Sequence, residues 1–208
     1  SGATGAPKGA PRRTPPLAAL GPMATLFNNL PLISGETMLI ATPLFHSFGL
    51  TFLAVALALG STTVLCRRFD TERVAQRLVL HQVRTLVVVP VMLQRLLDIP
   101  AVRQFRYSFR HVSTVISAGS PLGAALAARW MDTHGDNLFN LYGSTEAGGV
   151  ALATPEDLRA APGTVGRMPL GAEVRILDSM GCALPAGLPG HICVRSGMLF
   201  EGYVGGGG

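Results

Sequence analysis

The sequence predicts an α/β chain: a mostly parallel, helix-covered sheet, followed by a small antiparallel sheet or barrel portion. Three observations predict it. Short β-branched runs alternate with amphipathic stretches of helical length from residue 37 to residue 141. One of those runs, Thr85–Val89, is nearly continuously β-branched, as expected of a strand buried on both faces. Beyond about residue 160 the alternation stops, and two short strand patterns flank a Gly/Pro-rich turn.

The elements follow in order. Thr37–Ala41 reads as a strand ended by Pro43, and Phe48–Leu59 as a buried helix. Thr62–Cys66 is a short strand. Asp70 and Thr71 offer N-cap oxygens to a helix reaching about His81, with Val74, Leu78 and Val79 on one side. After the Thr85–Val89 strand come a helix at Val91–Leu97, a strand at Val112–Ile116, a helix at Leu122–Thr133 and a strand at Leu138–Leu141. In the last part Glu173–Leu177 and His191–Arg195 form an antiparallel pair across Gly181–Gly190. The organisation expected is a Gly/Pro/Ala loop at 1–16, an α/β portion at 17–160 and a β-rich portion at 161–208 with a glycine-rich end.

Composition excludes several classes. The 208 residues are 48% hydrophobic and 14% charged, so a sizeable core can be buried. The longest apolar stretch is too short for the roughly 20 residues of a membrane span, so no transmembrane segment is expected. The net charge of +5 comes from arginines scattered along the chain and one lysine, Lys8. Nucleic-acid binding would need a basic stripe with aromatics among it, and aromatics are 6%. Cys66, Cys182 and Cys193 show neither metal-ligand spacing nor an even-numbered disulfide framework, which makes a reducing cytoplasm the expected compartment.

Four segments carry chemistry. Ser1-Gly2-Ala3-Thr4-Gly5-Ala6-Pro7-Lys8-Gly9 places hydroxyls and a mobile cation on a backbone free to turn its N–H groups inward, which suits a polyphosphate. It lacks the Lys-Ser/Thr pair of a Walker A loop, and composition alone fits an unstructured terminus equally well. Pro43–Gly49 sets His46 between a strand and an apolar helix, where a neutral imidazole can orient a carboxylate or swing aside. Ser117–Leu122 holds Gly119 and Ser120, which permit close backbone approach. Asn140–Glu146 ends a strand in a glycine turn, with Glu146 a hard oxygen donor suited to Mg²⁺ and Thr145 a hydroxyl donor. Val89–Leu93 reads at least as well as core packing as it does as a pocket lining.

These four segments, in this order, resemble the adenylate-forming (AMP-binding) superfamily of acyl-CoA synthetases, luciferases and peptide-synthetase adenylation domains. Gly163–Arg167 and Leu184–Tyr203 follow the same pattern, so the resemblance covers nearly the whole chain. It departs at Ala3, where the family commonly has Ser or Thr. The resemblance implies ATP, Mg²⁺ and coenzyme A as cofactors, and activation of a carboxylic acid, expected to be a fatty acid, to acyl-AMP before transfer to the thiol. Ser1, Gly2, Thr4, Gly5 and Lys8 would hold the phosphates. Gly119, Ser120, Tyr142, Gly143 and Thr145 would hold the nucleotide. Thr145, Glu146 and His46 would be catalytic, with Glu146 the metal ligand.

Amino-acid-activating members carry an aspartate in the gate segment, which here reads Phe45-His46-Ser47-Phe48-Gly49, and proline where this chain has Ser144. Both differences imply an apolar acid. The resemblance also implies a larger N-terminal portion, a ribose-binding aspartate and a C-terminal domain with a catalytic lysine, none of which lies in these 208 residues. On that reading the chain is a central fragment, inactive alone, whose partners are the remaining parts of the same enzyme. An amino-acid or carrier-protein-linked adenylation domain, and a non-catalytic nucleotide-binding module, are the alternatives.

Overall fold

The structure is a computed structural model that describes residues 21, 24–25, 27–100 and 109–202. They fall into two compact units, one of residues 29–141 with 153–166, the other of 142–152 and 167–202 with the described residues before 29. The loop at 1–16, residues 17–20, 22, 23 and 26, and the glycine-rich end from Tyr203 lie outside the described residues.

The first unit is built on parallel strands. In chain order it runs β1 (Thr37–Ile40), α1 (Ser47–Ala58), β2 (Thr62–Leu65), α2 (Thr71–Leu80), β3 (Thr85–Val88), α3 (Pro90–Leu97), β4 (Thr114–Ser117), α4 (Ala124–His134) and β5 (Leu138–Ser144). β5 continues past residue 141 into the second unit, which also holds residues 148–152 of β6 (Gly148–Ala153), and α5 (Pro155–Ala160) belongs to the first. The sheet order is β2-β1-β3-β4-β5-β6. Ile40 pairs with Val87, Val88 with Ser117, and Ser117 with Asn140, so β1, β3, β4 and β5 end at one edge. The three residues between β5 and β6 suffice only for a hairpin, because a parallel return needs a crossover of a dozen or more.

Every residue of β3 and β4 is buried, as a central parallel strand with both faces covered demands. Leu39, Leu86, Val88, Val115 and Leu138 share one core cluster with Val74 and Leu78 of α2, Leu93 and Leu96 of α3, Ala127 and Trp130 of α4, and Leu158 of α5. The alternating positions Met38, Ile40, Val87 and Ile116 face the opposite side and are buried too. α1 packs against β1 and β2 with Phe52 and Ala56 buried.

Local chemistry fixes the helix ends. Asp70 accepts the Arg73 amide at 2.9 Å as the N-cap of α2. Pro90 opens α3 at the first helical position, where its missing N–H costs nothing, so the helix begins one residue before the Val91 expected. Leu122 is buried ahead of α4 rather than inside it, and Gly123 is the N-cap. Val112 likewise packs into the core from a turn, which moves β4 two residues beyond the expected start. The buried Trp130 indole donates to Asn137 Oδ1 at 3.0 Å, and Asn137 Nδ2 donates to the Val112 carbonyl at 2.8 Å, so this interior polar group is satisfied.

In the second unit β7 (Glu173–Leu177) and β8 (His191–Arg195) pair antiparallel, as the sequence predicts, with Glu173 opposite Arg195 and Leu177 opposite His191. Arg195 pairs with Glu173 at 2.8 Å across the strands. Two elements escape the sequence reading: β6, and α5, whose Thr154 and Asp157 form a reciprocal capping box.

Candidate active site

In the first unit the order β2-β1-β3-β4-β5 reverses direction between β1 and β3. In open α/β sheets the crevice outside the carboxyl ends at such a switch point is where ligands bind. Three of the segments singled out in the sequence leave the sheet at this edge. Thr42–Gly49 follows β1, Val89–Leu93 follows β3, and Ala118–Leu122 follows β4.

His46 is exposed and is the N-cap residue of α1, making no side-chain cap hydrogen bond. Its ring centroid lies 4.6 Å from that of Phe45, which is 84% exposed. The segment is held by backbone: the His46 amide donates to the Pro43 carbonyl at 3.2 Å, and the Leu50 amide to the His46 carbonyl at 3.1 Å. Gly49 is required for this packing, because a Cβ there would stand 2.6 Å from the Pro43 carbonyl oxygen and 3.0 Å from Thr42 Oγ1.

Gly119 has φ +89°, a left-handed conformation that favours glycine, and a Cβ on it would stand 3.4 Å from Val89 Cγ1. Val89 is half-buried beside Gly119, whereas Met92 and Leu93 belong to the core. Ser120 is exposed. Two hydroxyls that sequence reasoning passed over stand at the same edge: Thr42 Oγ1 and Ser117 Oγ are buried without a hydrogen-bond partner. A buried orphan hydroxyl is costly in an apolar interior. The available signal was a polar residue at the end of β4 and another just beyond the end of β1, each after an apolar run.

Tyr142, Gly143, Ser144, Thr145 and Glu146 belong to the second unit, on the end of β5 and the turn into β6. Tyr142, Thr145 and Glu146 are half-buried. The turn is held from three sides. Ser144 Oγ accepts the Ala147 amide at 3.0 Å, the Glu146 carbonyl accepts the Phe200 amide at 2.9 Å, and Gly148 has φ +73°. A Cβ on Gly143 would collide with the Gly148 carbonyl oxygen, so both glycines of the hairpin are needed. Among the described residues no group of three or more His, Cys, Asp or Glu gathers to cage a metal. One carboxylate with hydroxyls beside it fits Mg²⁺ shared with phosphate oxygens and water, and does not fit a structural zinc site. Ser1, Gly2, Thr4, Gly5 and Lys8 lie outside the described residues.

The sequence profile of the AMP-binding enzyme family matches residues 1–204. The chain belongs to that family of adenylate-forming ligases. It is similar to a 4-coumarate–CoA ligase-like protein of Arabidopsis thaliana, 33% identical over 171 residues, which cover 80% of this chain and 30% of that protein. Among solved structures it is similar to an amide bond synthetase from Marinactinospora thermotolerans, with TM-score 0.77 and 28% identity over 88% of this chain and 37% of the other. ATP-bound MatB from Rhodopseudomonas palustris gives TM-score 0.77 at 26% identity, over 86% of this chain and 35% of that one. The chain thus spans about a third of the length of the relatives it matches. No helix among the described residues is long and apolar enough to cross a membrane.

Proposed function

We propose that this chain forms the nucleotide- and acid-binding part of an enzyme that activates an apolar carboxylic acid with ATP and passes the acyl group to coenzyme A. The observation that carries the reading is the grouping of two family segments, Pro43–Gly49 and Ser117–Leu122, at the carboxyl edge of one parallel sheet, around its switch point. In the first step a carboxylate oxygen attacks the α-phosphorus, the bond to the bridging oxygen breaks, and pyrophosphate leaves. The thiol sulfur of coenzyme A then attacks the acyl carbonyl, giving up its proton and expelling AMP.

Thr145 Oγ1 donates to the α-phosphate as charge develops there, and Glu146 contributes a carboxylate ligand for Mg²⁺. Bound Mg²⁺ would supply charge neutralisation at the phosphates. Tyr142 offers a flat face to the adenine, Gly143 leaves room for its approach, and Gly119 with Ser120 keeps backbone close to nucleotide and acyl group. His46 sits at the mouth where acid and thiol meet. Ser1, Gly2, Thr4, Gly5 and Lys8 cradle the leaving pyrophosphate. The absence of an acid in Phe45–Gly49 supports an uncharged substrate body, and the name of the 4-coumarate–CoA ligase-like relative adds aryl acids to the fatty acids first expected. The reading includes a reducing, cytoplasmic setting, supported by three cysteines that form no disulfide.

ATP–pyrophosphate exchange tests it, on the full-length protein containing these residues, with fatty acids, hydroxycinnamates and amino acids offered in parallel. Exchange with fatty or aryl acids is expected. Exchange with amino acids alone would replace this reading with the amino-acid-activating one. Nucleotide binding without exchange for any acid would leave a non-catalytic module.

A further inference from the structure

The turn that carries Thr145 and Glu146 leans on a segment far away in sequence. A Cβ on Gly148 would stand 2.9 Å from Met198 Cβ and 3.0 Å from Met198 Cε. The half-buried Met198 side chain therefore occupies the space that a side chain at position 148 would need. Two residues further on, the Phe200 amide donates to the Glu146 carbonyl. Met198 is itself oriented from behind: its amide donates to Ser196 Oγ at 3.1 Å, and the Leu199 amide to the Ser196 carbonyl at 3.3 Å. Ser144 Oγ to the Ala147 amide ties the turn internally, and Ser196–Phe200 clamps it from outside.

We propose that Met198 is a positioning residue, which fills the space beside Gly148 and thereby holds the Glu146 carboxylate and Thr145 hydroxyl in place for nucleotide and metal. The proposal rests on the reading of Glu146 as the metal-facing carboxylate. Its physical basis is that a short hairpin turn with two glycines has high freedom of its own, and packing from outside removes it. An unbranched thioether suits an irregular space of this kind.

The test uses the full-length protein with Met198→Ala, Met198→Leu, Ser144→Ala and Glu146→Gln. Three readouts are taken: hydrogen exchange at the Phe200 and Ala147 amides, Mn²⁺ binding in the presence of ATP by calorimetry, and pyrophosphate exchange. Met198→Ala should speed exchange at Phe200 and weaken Mn²⁺ binding roughly tenfold, the low end of what losing the support of a metal ligand costs. The KM for the acid should stay unchanged and Met198→Leu should restore both. Ser144→Ala, a milder change on an exposed side chain, should speed exchange at Ala147 and weaken Mn²⁺ binding by a smaller factor. Normal Phe200 exchange and normal Mn²⁺ binding in Met198→Ala, with Glu146→Gln impaired, would overturn the positioning role alone. Unchanged Mn²⁺ binding in Glu146→Gln would overturn the reading of the turn, and the proposal with it.

Discussion

At the scale of single residues the site depends on where side chains are absent as much as on where they are present. Gly49 lets the first turn of α1 press on the Pro43 carbonyl, and Gly119 turns the chain back beside Val89. Gly49→Ala is expected to destabilise by about 1–3 kcal/mol, as overpacking against rigid backbone does, read as a lower urea midpoint. Gly119→Trp should instead shorten the longest acid accepted by the full-length protein, because the space beside Val89 would be filled. An unmoved chain-length profile would show that Gly119 does not face the acid. Glu146→Gln removes one anionic oxygen and should raise the Mg²⁺ needed for half-maximal exchange, while an unaltered metal dependence would remove Glu146 from the site.

At the scale of elements, α4 and α5 are joined by charge and α4 ends in a half-buried titratable ring. Arg159 of α5 reaches Asp132 at 2.6 Å and Asp136 at 2.8 Å. His134, in the last turn of α4, lies against Trp130 at 4.5 Å and Phe109 at 5.0 Å between ring centroids. Its Nε2 is buried without a partner. A helix C-terminus favours a cation, but burial wins and pushes the imidazole down to about 4. The unfolded chain therefore binds a proton that the folded chain refuses between the ordinary histidine value and about 4. Stability from this group is fully present above about pH 6.5 and is lost as pH falls through that window. His134→Phe should flatten the decline of the urea midpoint over that range, and an identical slope in both proteins would contradict the assignment. Thr154→Ala should cost about 1 kcal/mol through the lost cap of α5, a fall of roughly 2–4 °C in Tm for a protein of this size.

The same scale shows what the sequence makes legible. Period and punctuation located β1 to β5 and α1 to α4 within two residues at their starts, because most of them bury apolar side chains, β3 and β4 throughout, and turn residues bound the rest. β6 was not legible, since Gly148-Gly149-Val150-Ala151-Leu152-Ala153 has little intrinsic preference for a strand and is one because β5 lies beside it. α5 was legible in principle from Thr154, Pro155 and Asp157, yet its six residues are too few to show a helical period. The site motifs were readable as types and order. The clamp by Met198 was not, because it joins residues fifty positions apart.

At the scale of the whole molecule the unusual quantity is exposed apolar surface. α1 is apolar nearly all round, and a helix of that kind is normally covered on every side. Here Phe52 and Ala56 are buried against the sheet, while Leu50 and Leu57 are 56% and 68% exposed. Leu50, Ala54 and Leu57 follow at helical spacing, so they form one continuous stripe, with Phe45 exposed just before the helix. Only 14% of the residues are charged, against roughly 25% in a typical soluble domain. The 208-residue chain expressed alone should therefore bind a hydrophobic dye such as ANS and elute as a broad, concentration-dependent species in gel filtration. Leu50→Glu with Leu57→Glu should reduce both effects without loss of helix content, since neither side chain is in the core. If the unaltered chain is instead a monodisperse, dye-negative monomer, the stripe needs no cover. The apolar excess would then belong to a self-sufficient domain.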